Sequence, residues 1–179
     1  MSVLAHRCGV GIRRAARERA VQFLFQYDLN PPSDDLAGAL DYFWQSQRDS
    51  ALLAADGKAT WGESIALPPP TVEEVAVRVF AEPLIRGVLD HRAEIDECIG
   101  RHADNWDLHR MAGVDRNVLR LAIYEMLHRQ DIPPVVSINE AVDIAKRFST
   151  DESGRFVNGL LDKVRQGLSR PARTVAPAA

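Results

Sequence analysis

Arginine is concentrated at the start of the first amphipathic segment of this chain. Residues 11–29, GIRRAARERAVQFLFQYDL, open with Arg13, Arg14, Arg17 and Arg19, and Glu18 is the only acidic residue among these first positions. A helix N-terminus carries a partial positive charge, so cations there are unfavourable unless they gain a partner. Guanidinium groups bind phosphate through charge-assisted hydrogen bonds, which makes a nucleic acid one explanation. A solvated basic helix face is the other explanation, and both stay open at this point.

Helical spacing sets the direction in which these arginines point. Apolar residues recur at three- and four-residue steps from Arg13 to Leu29 and form one stripe, which is typical of an amphipathic helix packed on a core. On a wheel with 3.6 residues per turn, Arg13, Arg14 and Arg17 fall within an arc of about 100° beside that stripe. Arg19 lies on the other side. The pattern therefore predicts a basic patch along one edge of the first helix.

The charges are distributed unevenly along the 179 residues, although the net charge is only -3. Residues 1–19 carry five arginines and one glutamate, and residues 146–173 carry seven basic against three acidic residues. Residues 31–100 hold thirteen acidic and five basic residues. A local field depends on this distribution as well as on the sum, so basic ends that meet in space can act on an anion.

Side chains with catalytic or metal-binding potential form no convincing group in the sequence. His102 and His109 are separated by a spacing that fits no common zinc pattern, and His91 and His128 read as isolated surface or capping residues. Glycine-rich phosphate loops, GxSxG and HExxH motifs are absent from the sequence. We therefore expect a protein that is not an enzyme and that needs neither a metal nor another cofactor.

Composition indicates a reduced, cytoplasmic protein. Cys8 and Cys98 stand ninety residues apart without a CxxC pattern, which favours free thiols in a reducing compartment. No apolar run is long enough to span a bilayer, and the N-terminus lacks a clear signal-peptide core.

The periodicity is helical almost throughout and predicts an all-α fold. Residues 1–12 read as a flexible N-terminus, residues 13–168 as one helical domain and residues 169–179 as a disordered tail. Residues 49–70 lose the periodicity and read as a loop insertion. Helix starts are predicted at these caps or capping boxes: Ser33, Thr71, Asp115, Ser137 and Asp151. Pro83 should kink or restart its helix.

Gly159 lies inside the last predicted helix, where it costs about 1 kcal/mol relative to alanine. We expect another helix to approach closely over Gly159, and Asn158 to hydrogen-bond a neighbouring loop or helix end. A direct ligand role for Asn158 is the less favoured alternative.

Several segments together resemble the NusB family of transcription antitermination factors. They are RRAARERAVQFLFQYDL, VDRNVLRLAIYEML and the long run IPPVVSINEAVDIAKRFSTDESGRFVNGLLDK. The similarity covers residues 13–29 and about 84–166, and residues 33–83 match poorly. The resemblance implies about seven helices in two packed sub-bundles. It also implies binding to a single-stranded boxA element of ribosomal RNA leaders, together with the ribosomal protein NusE, within an antitermination complex on RNA polymerase.

The resemblance also implies roles for individual residues. Arg13, Arg14 and Arg17 match positions of the RNA-binding first helix, and the turn from Phe148 to Arg155 corresponds to a second RNA contact. Asp115 corresponds to the surface that faces NusE. An arginine of the family pattern is replaced by Ala15 here. Phe148 is either a platform on which a base stacks or an ordinary core residue.

Three other functions remain as alternatives. NusB-like domains also precede ribosomal RNA cytosine methyltransferases, and the chain ends soon after the last helix without a methyl-donor domain. A structural homodimer and a DNA-binding helical module are the others. On the leading interpretation, the unfavourable arginines of the first helix are explained by a phosphate backbone and the release of its counterions.

Overall fold

The computed structural model describes residues 3–31, 35–56, 68–103 and 108–169, and within these ranges all regular structure is helical. Among the described helices, none is long and apolar enough to cross a membrane. The predicted disordered tail beyond residue 169 lies outside the described residues, as does the predicted cap Ser33. Seven α-helices follow in chain order: α1 (Val3–Leu29), α2 (Leu36–Asp56), α3 (Val72–Asp90), α4 (Arg92–His102), α5 (Gly113–His128), α6 (Pro134–Phe148) and α7 (Asp151–Gln166).

The helices form two packed sub-bundles that meet at α5, as expected. In the first, α1 packs along α3, and α2 joins them through an aromatic cluster in which the rings of Phe23 and Phe43 lie 5.4 Å apart. In the second, α6 and α7 pack as neighbours against α4 and α5. Helix α5 also contacts α1 and α3, and Leu119 and Ile123 on it are completely buried. It is the central helix of the fold.

The extents of the first two helices differ from the prediction. Helix α1 begins at Val3 rather than near Arg13, so the low helix propensity of Gly9 and Gly11 does not end it. The flexibility of residues 1–12 stays a prediction. Helix α2 continues to Asp56, so the first eight residues of the predicted insertion are helical, while residues 57–67 lie outside the described residues.

The capping box at the start of α3 is confirmed. The Glu74 N–H donates to the Thr71 hydroxyl at 3.2 Å, and the Thr71 N–H donates to the Glu74 carboxylate at 2.6 Å. The predicted restart at Pro83 is wrong, since α3 continues through it to Asp90, and the kink stays a prediction. The chain instead leaves helical geometry at His91, with φ -102° and ψ 16°, before α4 begins.

Three predicted caps are wrong, because each of these helices starts earlier than predicted. Helix α5 starts after Ala112, so Asp115 lies in its first turn. Helix α6 starts at Pro134, a favoured first position because proline has no N–H to satisfy, and Ser137 lies within its first turns. Helix α7 is capped by Thr150, whose hydroxyl accepts from the Ser153 N–H at 3.1 Å, and Asp151 is its first residue.

A buried ionic network ties α1 to α4 and α5. Asp28, whose side chain is 6% exposed, accepts hydrogen bonds from Arg120 at 2.8 Å, Arg116 at 3.0 Å and Arg92 at 2.7 Å. Burial alone would raise the pKa of Asp28, but Arg120, Asn117 and the other arginines hold it below its usual value. The network fixes the end of α1 against the central helix, and so fixes the direction in which the other end of α1 points.

Candidate nucleic-acid interface

Three arginines surround the ring of Phe80 beside the exposed edge of α1. The guanidinium carbons of Arg13, Arg17 and Arg129 lie 5.6, 5.5 and 5.6 Å from the ring centroid. Arginine over an aromatic face is held in place by a cation–π contact without losing its hydrogen-bonding edge. Arg13 is exposed to solvent and can therefore present that edge to a phosphate.

Arg17 does not lie on the surface, contrary to the prediction. It is 4% exposed, and its Nε donates at 2.8 Å to Oε1 of Glu125, which is 1% exposed. The second Glu125 oxygen accepts from the Ser137 hydroxyl at 2.7 Å. The network joins α1, α5 and α6 inside the protein. A phosphate cannot reach this guanidinium without opening the core, so we remove Arg17 from the RNA-binding set.

Arg14 faces α6, and its guanidinium is paired there with two carboxylates. Its guanidinium donates to Glu140 at 2.9 and 3.1 Å and to Asp143 at 2.7 Å. The hydrogen bonds that Arg14 donates to Glu140 hold the pKa of Arg14 above its ordinary value. The side chain is 42% exposed, so it is accessible, but its charge is compensated within the protein. A phosphate would have to replace these carboxylates or share the guanidinium with them.

A second basic group lies at the end of α6, beside α1. Arg147, 63% exposed, donates to Glu18 at 2.5 Å, and its guanidinium carbon lies 5.3 Å from the centroid of the Phe148 ring. Phe148 is 38% exposed, so this ring offers a surface on which a base could stack. Lys146 and Arg155 are also exposed.

A close approach between α6 and α7 brings Arg155 next to this group. Gly154 is buried, and a Cβ added there would lie only 2.6 Å from the Lys146 side chain. Glycine thus lets the stem of Lys146 cross the first turn of α7. The contacts from Arg14 through Glu140, from Glu18 to Arg147 and from Lys146 to Gly154 form one continuous surface. Among the predicted residues, Arg14 thus lies against α6, Phe148 and Arg155 are exposed where α6 ends and α7 begins, and Arg13 is exposed on α1 against Phe80.

Two exposed amides border an open hollow of about 490 Å³ between α1, α6 and α7. Asn139 and Asn158 line it together with Arg14 and Val136. The expectation of a close helix over Gly159 is wrong, because a Cβ there would meet nothing within 4 Å. Asn158 is exposed and contacts only the next turn, at 3.4 Å from Asp162, among the hydrogen bonds described. Its amide can therefore donate to a phosphate or pair with a base edge.

Asp115 is buried at the start of α5 rather than displayed there. It is 7% exposed, and Oδ2 accepts from the Ser153 hydroxyl at 2.9 Å. Its Oδ1 is shielded from solvent and has no hydrogen-bond partner within the described part of the chain. The carboxylate thus connects the first turn of α5 to the first turn of α7. A role at a partner surface would be exerted through the charge of this shielded carboxylate and through the position of these two helix starts.

A groove of about 1170 Å³ between α2 and α3 has a charge pattern that suits a polyanion poorly. Arg78, one of the arginines that line it, donates to Asp41 at 2.5 Å and to Glu82 at 2.6 Å. Glu73 and Glu74 also line it. The basic surface of α1, α6 and α7 remains the better candidate.

Sequence reasoning missed Phe80, Arg129 and Arg147. Phe80 lies in the segment that resembles the family poorly, and Arg129 is brought to it from the far end of α5. Arg147 could have been found, because it directly precedes Phe148 in a basic run at a helix end.

Comparison with known proteins gives consistent matches over nearly all of the chain. A family model described as the NusB family matches residues 14–166. The transcription antitermination protein NusB of Myxococcus xanthus is 43% identical over 162 residues, which cover 90% of this chain and all of that protein. The NusB protein of Desulfitobacterium hafniense is 42% identical over 158 residues, covering 88% of this chain and 90% of that one.

Solved structures agree with these matches. The structure of T. maritima NusB is 32% identical to this chain, with a TM-score of 0.63, and the match covers 88% of this chain and 93% of the other. A crystal structure of the antitermination factors NusB and NusE with double-stranded RNA matches with a TM-score of 0.61, covering 88% of this chain and 98% of that one. At 22% identity, the second likeness establishes the fold alone.

Proposed function

The chain belongs to the NusB family, and from that membership we propose that it is an RNA-binding transcription antitermination factor that acts with a NusE-type ribosomal protein. Its full-length relatives are named transcription antitermination proteins. One solved neighbour contains NusE and RNA. The proposed target is boxA-type RNA of ribosomal RNA leaders, within an antitermination complex on RNA polymerase. The proposed role is one of binding and assembly rather than catalysis.

The observation that carries the RNA part of the proposal is the continuous basic surface of α1, α6 and α7. Arg13 supplies an exposed guanidinium fixed on Phe80, and Arg155 supplies another at the start of α7. Phe148, with Arg147 against it, offers a ring for stacking. Phosphate contacts of this kind give affinity, whereas stacking and hydrogen bonds to base edges read single-stranded RNA. Arg17 contributes by holding α1 in place.

Arg13→Ala tests this surface, with Arg101→Ala as the matched control. Arg101 is 64% exposed on α4, so both variants remove one exposed arginine. We expect only Arg13→Ala to weaken binding to a boxA-type single-stranded RNA. The slope of log affinity against log salt should fall by about 0.7 for the lost phosphate contact. A duplex RNA of the same sequence, measured in parallel, separates single-strand recognition from duplex binding. If the two variants bind RNA equally across the salt series, the proposed surface is wrong.

The partner surface is proposed to lie at the start of α5, positioned by Asp115. Asp115→Asn preserves an acceptor for the Ser153 hydroxyl but removes the charge. We therefore expect stability within about 1 kcal/mol of wild type, since a typical neutral hydrogen bond is worth that much. Binding to NusE should weaken, most strongly at low salt, because a charge near an interface acts through screened attraction. Equal NusE affinity at low salt would leave Asp115 as an internal link between α5 and α7 only.

A further inference from the structure

Two histidines and a glutamate meet where α3 joins α4 and where α5 ends. His91 Nδ1 lies 3.3 Å from Oε2 of Glu94, and His128 Nε2 lies 3.2 Å from the same oxygen. All three atoms lie within 4.8 Å of one another. The sequence separates the histidines by 37 residues, so the cluster exists only through the fold and was not predicted. It is also independent of the basic surface proposed to bind RNA.

These distances suit a tetrahedral metal ion. Zinc bonds of 2.0–2.2 Å to nitrogen and oxygen, at tetrahedral angles, separate neighbouring ligand atoms by about 3.4 Å. The two measured distances to the Glu94 oxygen, 3.3 and 3.2 Å, lie close to this value. Two imidazoles and one carboxylate are also a ligand set that zinc uses, with water as the fourth ligand.

One ring nitrogen of the cluster is buried without a hydrogen-bond partner in the part of the chain that the structure describes. The His91 and His128 rings stack with centroids 3.9 Å apart, and each ring places one nitrogen close to Oε2 of Glu94. His128 Nε2 is shielded from solvent and, among the described residues, has no aligned hydrogen bond despite the nearby Glu94 oxygen. A metal ion would supply the missing partner. Glu94, whose side chain is 53% exposed, would supply negative charge and leave the ion accessible from solvent.

The surrounding helices hold the cluster in shape. His91 is the residue between α3 and α4, and its nonhelical backbone turns the chain so that Glu94 follows on the next helix. Tyr124 stacks on His128 with centroids 5.4 Å apart. A Cβ on Gly87 would lie 2.1 Å from the Tyr124 hydroxyl, so glycine is what allows Tyr124 to lie there. Positioning of ligands by such supporting groups commonly determines metal affinity.

We propose that His91, Glu94 and His128 form a binding site for a zinc-like divalent metal ion. A bound ion joins the α3–α4 junction to the last turn of α5. The folded chain has this binding site and the unfolded chain does not, so the bound ion stabilises the fold by mass action.

The test is zinc uptake by the full-length protein. Zinc chloride is titrated into chelator-treated protein by calorimetry, and the melting temperature is measured with zinc and with EDTA. We expect one ion per chain at this site and a higher melting temperature with zinc. His128→Gln and Glu94→Gln should each weaken binding by at least the roughly 10–100-fold that loss of a supporting group costs a metal site. Melting temperatures in EDTA equal to that of the wild-type protein show that the variants fold. If His128→Gln does not fold, Glu94→Gln, which changes an exposed carboxylate, provides the test alone.

His109→Gln and His102→Gln are the matched controls. His102 Nδ1 lies 3.9 Å from the Cys98 sulfur, so this pair is the competing soft-metal site. Burial raises the pKa of the Cys98 thiol, which makes it a poor ligand. Cobalt substitution adds a spectroscopic check, since a thiolate-to-cobalt charge-transfer band would indicate cysteine. Zinc binding that is lost in His102→Gln but kept in His128→Gln overturns the proposal, as does wild-type uptake no greater than that of His128→Gln.

Discussion

Arg17 should be essential for stability, although its neighbour Arg13 should not. Arg17→Met retains much of the apolar stem but removes the charge that faces Glu125, which is 1% exposed. Removing one partner of a buried ion pair typically costs 3–5 kcal/mol, because the other charge is left buried without compensation. For a domain of this size, that loss lowers the melting temperature by about 6–20 °C. Arg13→Ala, on the exposed side of Phe80, should change stability by no more than about 0.5 kcal/mol.

The assay is urea denaturation followed by circular dichroism at pH 7, with RNA binding measured on the same samples. A double variant isolates the cause: Arg17→Met with Glu125→Gln leaves an acceptor for the Ser137 hydroxyl but removes the uncompensated charge. We expect the double variant to be more stable than Arg17→Met alone by at least about 1 kcal/mol, the scale of coupling between contacting residues. If Arg17→Met has wild-type stability and binds RNA more weakly, Arg17 is a surface contact and the reasoning fails.

Three further outcomes follow from single contacts. Gly159→Ala should stabilise the fold by about 0.5–1 kcal/mol, since helix propensity improves and the new Cβ meets nothing; loss of stability in urea denaturation would reveal an unseen contact. Gly87→Ala should destabilise it by about 1–3 kcal/mol, because the Cβ would lie 2.0 Å from the Tyr124 ring, and wild-type stability would contradict that packing. Asp28 has a lowered pKa when folded, so its stabilisation is present above its unfolded pKa of about 3.9 and lost as pH falls through the folded value. The stability advantage of wild type over Asp28→Asn should therefore shrink between about pH 5 and pH 2, and a constant difference would argue against the network around Arg120.

Local signals predicted the helices well and their tertiary partners poorly. The end of α1 at Leu29 follows from the two prolines after Asn30, and the Thr71 cap follows from a glutamate three residues later. Both depend on neighbours in the sequence. Asp115 and Ser137 are residue types that commonly cap helices, yet each bonds a side chain on another helix. A sequence pattern does not show whether a short polar side chain caps its own helix or bonds a side chain on another helix.

The same limit applies to the candidate sites. Arg13 and Arg17 have the same residue type and lie on the same helical arc, but only Arg17 meets a carboxylate in the core, 108 residues away. The existence of a basic patch could therefore be predicted, but which arginines are exposed in it could not. The histidine cluster was missed for a similar reason, since His91 and His128 come from different helices.

The paired state of Arg14 and Arg147 has a consequence for selectivity among polyanions. Both guanidinium groups are held by carboxylates of the protein itself, Glu140 and Asp143 in one case and Glu18 in the other. From a distance greater than the Debye length of about 8 Å, this surface presents little net potential, so a passing nucleic acid is only weakly attracted. Contact at these two arginines gains energy only when phosphates displace those carboxylates in register, whereas Arg13 and Arg155 are exposed to a phosphate directly. The surface should therefore discriminate by fit at close range, and tolerate the excess of unrelated RNA that surrounds a transcribing polymerase.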